Sequence, residues 1–368
     1  AFAGYECGII DAATGFGKSW SLRQIPRMWP DASVLVSSYD SGVVRQLRQT
    51  LQEALPGETV GMVGDGELDA DRRVVCCVDR SLHRVSDRRW DVFLYDEVQR
   101  AAAQNTSLAV AEIRAERRFG LSATPKARSD KADLLTEALF GPVLVRIPFQ
   151  KALVLNRVVP VRVLSVSCDR VPKVPEFRHT VQQDRAAVWR NEHRNRLVAA
   201  AVRDALDRCG ESAQVLVVCD RVEHILELRK LLPPDFVCHY SDVSSGLAEE
   251  FGARPLSSRQ REEIKQGFRE GRIRRLIGTG LGVGFDCPAL RAMVLAAAPG
   301  DAILPYQFGG RIVRRSEGKS EGLVYDFDDC HCGPLRGRRK RRLQVYRDNG
   351  WTIESVGLPL PAVPAAAV

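Results

Sequence analysis

The chain has 368 residues, of which 45% are hydrophobic and 27% charged, with a formal net charge of +8. That length exceeds what one core serves well, so two domains are expected, and the composition excludes a disordered or fibrous chain. The basic balance suits a polyanionic partner without requiring one.

The first half alternates strand and helix signals. Gly8–Ala12 reads as a strand, and a helix is expected from Lys18 to Met28. Ser33–Ser38 (SVLVSS) reads as a buried strand and Gly42–Leu55 as a helix. Thr59–Val63, Arg73–Val78, Trp90–Tyr95 and Phe119–Ser122 read as further strands. Continuous apolar strands interleaved with helices imply a parallel sheet covered on both faces. A connector is expected over 151–190, holding the strand-like Val158–Ser167 and then the turn-rich VPKVPEF.

A second alternating block follows. Arg194–Cys209, Val222–Leu232 and Ser258–Glu270 read as helices, and Gln214–Cys219, Arg274–Gly278 and Arg291–Ala296 as strands. Ser241–Leu256 reads as an inserted loop. The expected division is therefore 1–150, a connector 151–190, a second domain 191–333, and a basic helix with a Pro/Ala-rich tail over 334–368.

Ala12–Ser19 reads AATGFGKS after an apolar stretch, the pattern of a phosphate-binding loop with Ala12 at its first glycine position. Gly15 and Gly17 let the backbone turn its amides toward an anion, Lys18 reaches the β- and γ-phosphates, and the Ser19 hydroxyl is a Mg²⁺ ligand. The helix that starts there adds its N-terminal dipole. A small-residue strand-to-helix turn is the plainer alternative.

Asp96-Glu97-Val98-Gln99 follows the strand WDVFLY. A carboxylate there completes a Mg²⁺ shell, and the next one polarises an attacking water; taken alone, the pair equally makes a solvated turn. Ser122-Ala123-Thr124 places short hydroxyl residues at a strand end, where they can bond the acidic pair or simply form a turn before Pro125. Thr279–Asp286 (TGLGVGFD) is a glycine-rich segment after a strand, suited to close approach of a ligand or to a mobile loop. In Gln307–Arg315 (QFGGRIVRR), Arg311 and Arg314 have the spacing of one helix face, so two guanidiniums can act on a transferring phosphoryl group or sit in solvent.

Phosphate loop, DEVQ, SAT, TxxxxGxD and QxxGRxxR occur in that order between Ala12 and Arg315. This set resembles the superfamily 2 helicases and translocases. VCCVDRSLHR (Val75–Arg84) and GLVYDFDD (Gly322–Asp329) are similar to segments of the DNA-directed XPB-type and phage UvsW-type members. The resemblance implies an α/β fold of two tandem RecA-like domains, each a mainly parallel sheet flanked by helices, with ATP in a cleft between them.

It also implies roles. Lys18, Asp96, Glu97, Gln307, Arg311 and Arg314 form the catalytic set, with Ser19 and Asp96 holding Mg²⁺. Thr14, Gly15, Phe16, Gly17, Lys18, Ser19, Trp20, Gly284 and Asp286 bind ATP. Gln99, Ser122 and Thr124 couple hydrolysis to domain movement, and Ser37, Ser38 and Thr279 contact a nucleic-acid backbone. Two departures stand out: Gln99 replaces the His of many relatives, and no glutamine-bearing adenine-reading segment precedes Ala12.

The resemblance favours an ATP-dependent DNA helicase or translocase acting on single-stranded or branched DNA, with RNA the less expected partner. Alternatives are a motor fragment of a larger restriction or repair enzyme, with further domains or subunits outside this sequence, and an ATP-gated binding factor with weak hydrolysis. The start at Ala1 rather than Met suggests an upstream segment. No membrane partner is expected, because no run approaches the roughly 20 apolar residues of a spanning helix, and no signal peptide is evident. The expected site is the cytoplasm of a bacterial or phage-infected cell, or the nucleus of a eukaryote. The ten cysteines form no CxxC pair and read as buried thiols. Cys330-His331-Cys332 is too small a ligand set to predict a metal. The basic run Leu335–Arg342 reads equally as a phosphate-binding track or a solvated helix face.

Overall fold

A computed structural model describes residues 4–13, 15–122, 133–281, 287–300 and 311–359. Its two compact units are Ala1–Leu155 and Asn156–Val368.

The first unit contains, in chain order, β1 (Cys7–Ala12), α1 (Lys18–Met28), β2 (Val34–Ser38), α2 (Ser41–Ala54), β3 (Gly61–Gly64), β4 (Glu67–Leu68), β5 (Val74–Val78), β6 (Arg89–Asp96), α3 (Gln104–Glu112), β7 (Arg114–Ser122), α4 (Asp133–Phe140), β8 (Val143–Ile147) and α5 (Phe149–Val154). The sheet order is β4-β3-β5-β2-β6-β7-β1-β8, and every pairing is parallel except the β3–β4 hairpin.

Alternation along the strands explains the two-sided burial. Val34 and Val36 of β2 pack with Leu22, Ile25, Val44, Leu47 and Leu51 of α1 and α2. Leu35, between them, faces the opposite side with Phe93, Tyr95, Trp90 and Phe140. Helix α2 starts where the Asp40 carboxylate accepts from the Val43 amide at 3.0 Å, and its buried residues Val44, Leu47, Leu51 and Ala54 form one stripe.

The second unit holds β9 (Val161–Val166), α6 (Thr180–Asp184), α7 (Glu192–Cys209), β10 (Gln214–Val218), α8 (Val222–Arg229), β11 (Val237–His239), α9 (Ser245–Phe251), α10 (Ser258–Arg269), β12 (Arg275–Gly278), β13 (Leu290–Leu295), β14 (Gly322–Phe327), α11 (Gly333–Asp348) and β15 (Thr352–Val356). Its strands run β11-β12-β10-β13-β14-β9-β15, all parallel. Each unit is a RecA-like α/β sheet flanked by helices.

Three segments differ from the sequence reading. The expected connector supplies β9, an interior strand in register with β14 from Gly322↔Val161 to Phe327↔Val166; its partners lie far along the chain, so local pattern did not reveal them. The expected loop 241–256 contains α9, which buries none of its residues; without an apolar stripe it gave no periodic signal. The segment 334–368 carries β15, paired with β9 at the sheet edge. Among the described residues, no helix is long and apolar enough to cross a membrane.

Candidate active site

Strand β7 separates β6 from β1 in the first sheet. The register sets Asp96 beside Leu121 and Asp11 beside Ser122. The acidic motif, the SAT serine and the phosphate loop therefore leave three neighbouring parallel strands at one edge, where α/β sheets bind ligands.

Gly15 (φ 81°) and Gly17 (φ 107°) lie in the left-handed region that favours glycine. Gly17 is the N-cap of α1 and offers no side-chain acceptor, so the first helical amides face an incoming anion. Lys18 Nζ donates to the Ala12 carbonyl at 3.1 Å, which holds the ammonium over the loop. Phe16 is half-buried, and its amide donates to Ala13 O at 3.1 Å. Trp20 stands 63% exposed. Thr14 and the Ser19 side chain lie outside the described residues.

Asp96 is buried, and its carboxyl is pushed up to about 7 by burial and the adjacent Glu97 charge, against the pull of Lys18. Its Oδ1 is buried without a hydrogen-bond partner, a costly state for a carboxylate oxygen. Such an oxygen fits a hard divalent cation, which takes oxygen ligands. Glu97 adopts φ 57° and ψ 51°, a left-handed conformation that a non-glycine residue keeps only where its surroundings hold it.

One of those restraints is Gln99, whose Nε2 donates to Glu97 Oε2 at 2.6 Å. The Ser122 hydroxyl donates to Gln99 Oε1 at 2.6 Å. One buried amide thus gives to Glu97 and accepts from Ser122, joining DEVQ to SAT; a side chain with both functions does this at any pH. Sequence reasoning missed Gly120: a Cβ there would meet Val98 Cγ2 at 2.5 Å, so only glycine lets the segment after Glu97 lie against β7.

Several expected positions turn out otherwise. Ser37 and Ser38 are fully buried, and the Ser37 hydroxyl donates to Cys77 O at 2.9 Å. Neither side chain can contact a nucleic acid, because continuous burial of β2 takes both into the core. Arg311 and Arg314 do not share a helix face. Helix is described at Arg311–Ile312, a turn at Val313, and Arg314 bridges Val158, where the Val159 amide donates to Val313 O at 2.8 Å and takes that carbonyl out of the helix. Thr279 is half-buried, its amide donating to His239 O at 3.0 Å. Thr124, Gly284, Asp286 and Gln307 lie outside the described residues.

The basic run on α11 is neither a free phosphate track nor a plain solvated face. Arg336 donates to Cys330 O, Arg338 to Ala298 O, Arg339 to Ser165 Oγ, Arg341 to Gly300 O, and Arg342 is buried against Asp326 at 2.9 Å. Each arginine of the run has an acceptor within the unit.

The sequence of residues 3–127 matches the family described as "Type III restriction enzyme, res subunit". A protein of Halobacterium salinarum named as the DNA 3′–5′ helicase Rad25 is 28% identical over 144 residues, 37% of this chain and 24% of that protein. Over these residues the chain is similar to the superfamily 2 helicases. Its fold is similar to that of the ATP-dependent Type ISP restriction-modification enzyme LlaBIII bound to DNA (TM-score 0.67, 14% identity), covering 98% of this chain and 30% of that one. It is likewise similar to a Leu-to-Val variant of S. cerevisiae Dbp5 bound to RNA and ADP BeF3 (TM-score 0.63, 14% identity), covering 95% of this chain and 85% of that one. The chain thus spans about a quarter of Rad25 and under a third of LlaBIII.

Proposed function

We propose that the chain is a nucleic-acid-dependent ATPase that turns ATP hydrolysis into movement on, or remodelling of, DNA. The observation that carries this reading is the cluster at the edge of the first sheet: Lys18 over the loop, the unpartnered Asp96 oxygen, and Glu97 joined through Gln99 to Ser122.

Lys18 and the first amides of α1 hold the phosphates. Asp96, with Ser19, holds Mg²⁺, which when bound neutralises charge developing on the phosphate oxygens. Glu97 orients and deprotonates the attacking water. Arg311 and Arg314 act on the transferring phosphoryl group, and Gln307, Gly284 and Asp286 read its state. Gln99 and Ser122 transmit a change at Glu97 to the end of β7. The likeness to Rad25 and LlaBIII supports DNA as the track.

Displacement of a labelled strand from forked DNA, with ATP against a non-hydrolysable analogue, tests the reading. ATP-dependent displacement from DNA but not from the RNA equivalent is expected. Displacement of RNA alone would assign the chain to RNA remodelling instead. The restriction-family match and the 30% share of LlaBIII favour a second reading, a motor portion of a larger restriction enzyme. On that reading, duplex DNA stimulates hydrolysis without strand separation.

A further inference from the structure

Strands β9 and β14 run in parallel register up to Val166↔Phe327, and the Asp328 amide extends the pairing to Val166 O at 3.0 Å. Two residues further on, Cys168 and Asp329 emerge side by side. Asp329 takes φ 45°, turning the chain so that His331 returns to the same spot. The Cys168 sulfur, an Asp329 carboxylate oxygen and a His331 ring nitrogen all lie within 4.8 Å of one another, and all three residues are buried.

His331 is held in one orientation. Its Nε2 faces the Ala187 carbonyl at 2.9 Å, and its backbone carbonyl accepts from the Val174 amide at 2.9 Å. A nitrogen facing a carbonyl carries the proton, so Nδ1 of the neutral ring keeps a lone pair. That Nδ1 is buried without a hydrogen-bond partner, and His331 is only 3% exposed. A ring N–H fixed on a backbone carbonyl, with the other nitrogen free to donate, is the arrangement that metal-binding histidines use.

We propose that Cys168, Asp329 and His331 form a site for a borderline-soft divalent cation, zinc by the chemistry of its donors. One sulfur, one imidazole nitrogen and one carboxylate oxygen suit Zn²⁺, with a water in the fourth position. They do not suit Mg²⁺ or Ca²⁺, which want oxygen throughout. Arg194 Nε donates to Asp329 Oδ1 at 2.7 Å and Arg342 Nη2 to Oδ2 at 3.4 Å, so the carboxylate is pinned and offers its remaining lone pairs. Arg342 is also paired with Asp326, and the two arginines and two aspartates balance. Binding releases the Cys168 proton, and the metal with its thiolate adds one net positive charge. Affinity is therefore lower than at a four-ligand structural site and rises with pH.

Burial and the Asp329 charge hold the Cys168 thiol up at about 12, and burial keeps the His331 imidazole neutral. Occupancy would tie the segment after β9 to the turn that leads into α11, independently of the nucleotide edge of the first unit.

The test uses the whole chain, stripped with a chelator and reloaded with Zn²⁺ or with Co²⁺ as a coloured probe. One equivalent is expected per chain, with a thiolate-to-cobalt charge-transfer band. Cys168→Ser is expected to abolish the band and weaken binding at least about tenfold, and Cys330→Ser to leave both unchanged. X-ray absorption on the zinc-loaded unaltered chain counts sulfur ligands without any variant: one sulfur with nitrogen and oxygen fits the site. No uptake, two or more sulfurs, or a band that survives Cys168→Ser in a folded variant would overturn it.

Discussion

The two units share a parallel α/β plan and treat buried charge in opposite ways. In the first, the edge carrying the phosphate loop holds polar groups that folding leaves unmatched: Asp96 Oδ1 has no partner, Glu97 is strained, and the Lys18 ammonium rests on a backbone carbonyl. In the second, the buried charges after β14 satisfy one another. Arg194 pairs with Asp329, Arg342 with Asp326 and Asp329, and the Tyr346 hydroxyl donates to Asp326 at 3.0 Å. The lesson is that matched charges build architecture, whereas unmatched polar atoms, Asp96 Oδ1 in the first unit and His331 Nδ1 in the second, mark where a ligand supplies the missing partner.

The largest expected effect falls on the unmatched edge. Glu97→Gln removes the base and Lys18→Ala the phosphate cation, and each lowers ATP turnover by roughly a thousandfold. Because neither residue belongs to the core, urea midpoints are expected to stay close to those of the unaltered chain. A variant that lost stability instead of turnover would break the contrast.

The next effect falls on the matched network. Asp326→Ala takes the nearer of two carboxylates from the fully buried Arg342 guanidinium and leaves it Asp329 at 3.4 Å, which is expected to destabilise the second unit by about 3 kcal/mol. Denaturant unfolding followed by tryptophan emission, to which the Tyr346–Trp351 stack with ring centroids 5.5 Å apart contributes, measures that loss. A loss below about 1 kcal/mol would mean that the network is not the anchor of α11.

Lys319 sharpens the comparison, because it is a buried cation in the second unit with a carbonyl for company. Its Nζ donates to Pro288 O at 3.3 Å, and burial with the Arg291 charge lowers it from 10.5 to about 7. Below pH 7 the amine is charged in folded and unfolded chains, and the full burial cost applies. Above pH 7 the native amine is neutral while the unfolded one still holds its proton, so stability rises with pH toward 10.5. Lys319→Met is therefore expected to stabilise by a few kcal/mol at pH 6 and by much less at pH 10. Equal gains at both pH values would show that the amine is not titrating.

The smallest effect is at Gln99. Gln99→Ala cuts the link between Glu97 and Ser122 and is expected to lower turnover about tenfold, the worth of one or two hydrogen bonds. Ser122→Ala is expected to resemble it, with the double variant no worse than either single one. Additive losses would mean that the two residues act separately.

The sequence revealed the first unit well, because its chemistry is local. The phosphate loop, DEVQ and the strands before them are contiguous runs whose periods and turn residues carry their own structure, and α1 spans the range read from the sequence. What stayed hidden depended on partners far along the chain. Strand β9 was legible as a strand within the expected connector, but its place inside the second sheet was not, because β14 and β15, which flank it, come much later. Ser37 and Ser38 were named through the family resemblance alone, although the run SVLVSS itself reads as a buried strand, which is what they belong to. The i, i+3 spacing of Arg311 and Arg314 suggested one helix face, but the helix stops at Ile312 and Arg314 lies in a bridge to Val158, a partner far back along the chain. The arginines of α11 looked like a surface track, and no local pattern shows that Asp184, Asp326 and carbonyls of distant loops take them in. The Cys168–Asp329–His331 cluster was hidden for the same reason, since its ligands meet only through strand register.

The most direct measurement is steady-state ATP hydrolysis by this chain alone and with single-stranded DNA, forked duplex DNA and RNA, using Glu97→Gln as the blank. Strong stimulation by DNA, absent in the blank and weaker with RNA, is the predicted result. Hydrolysis that is undiminished in Glu97→Gln, or unresponsive to every nucleic acid, would contradict the assignment of the first-sheet edge as the catalytic site of a DNA-driven motor.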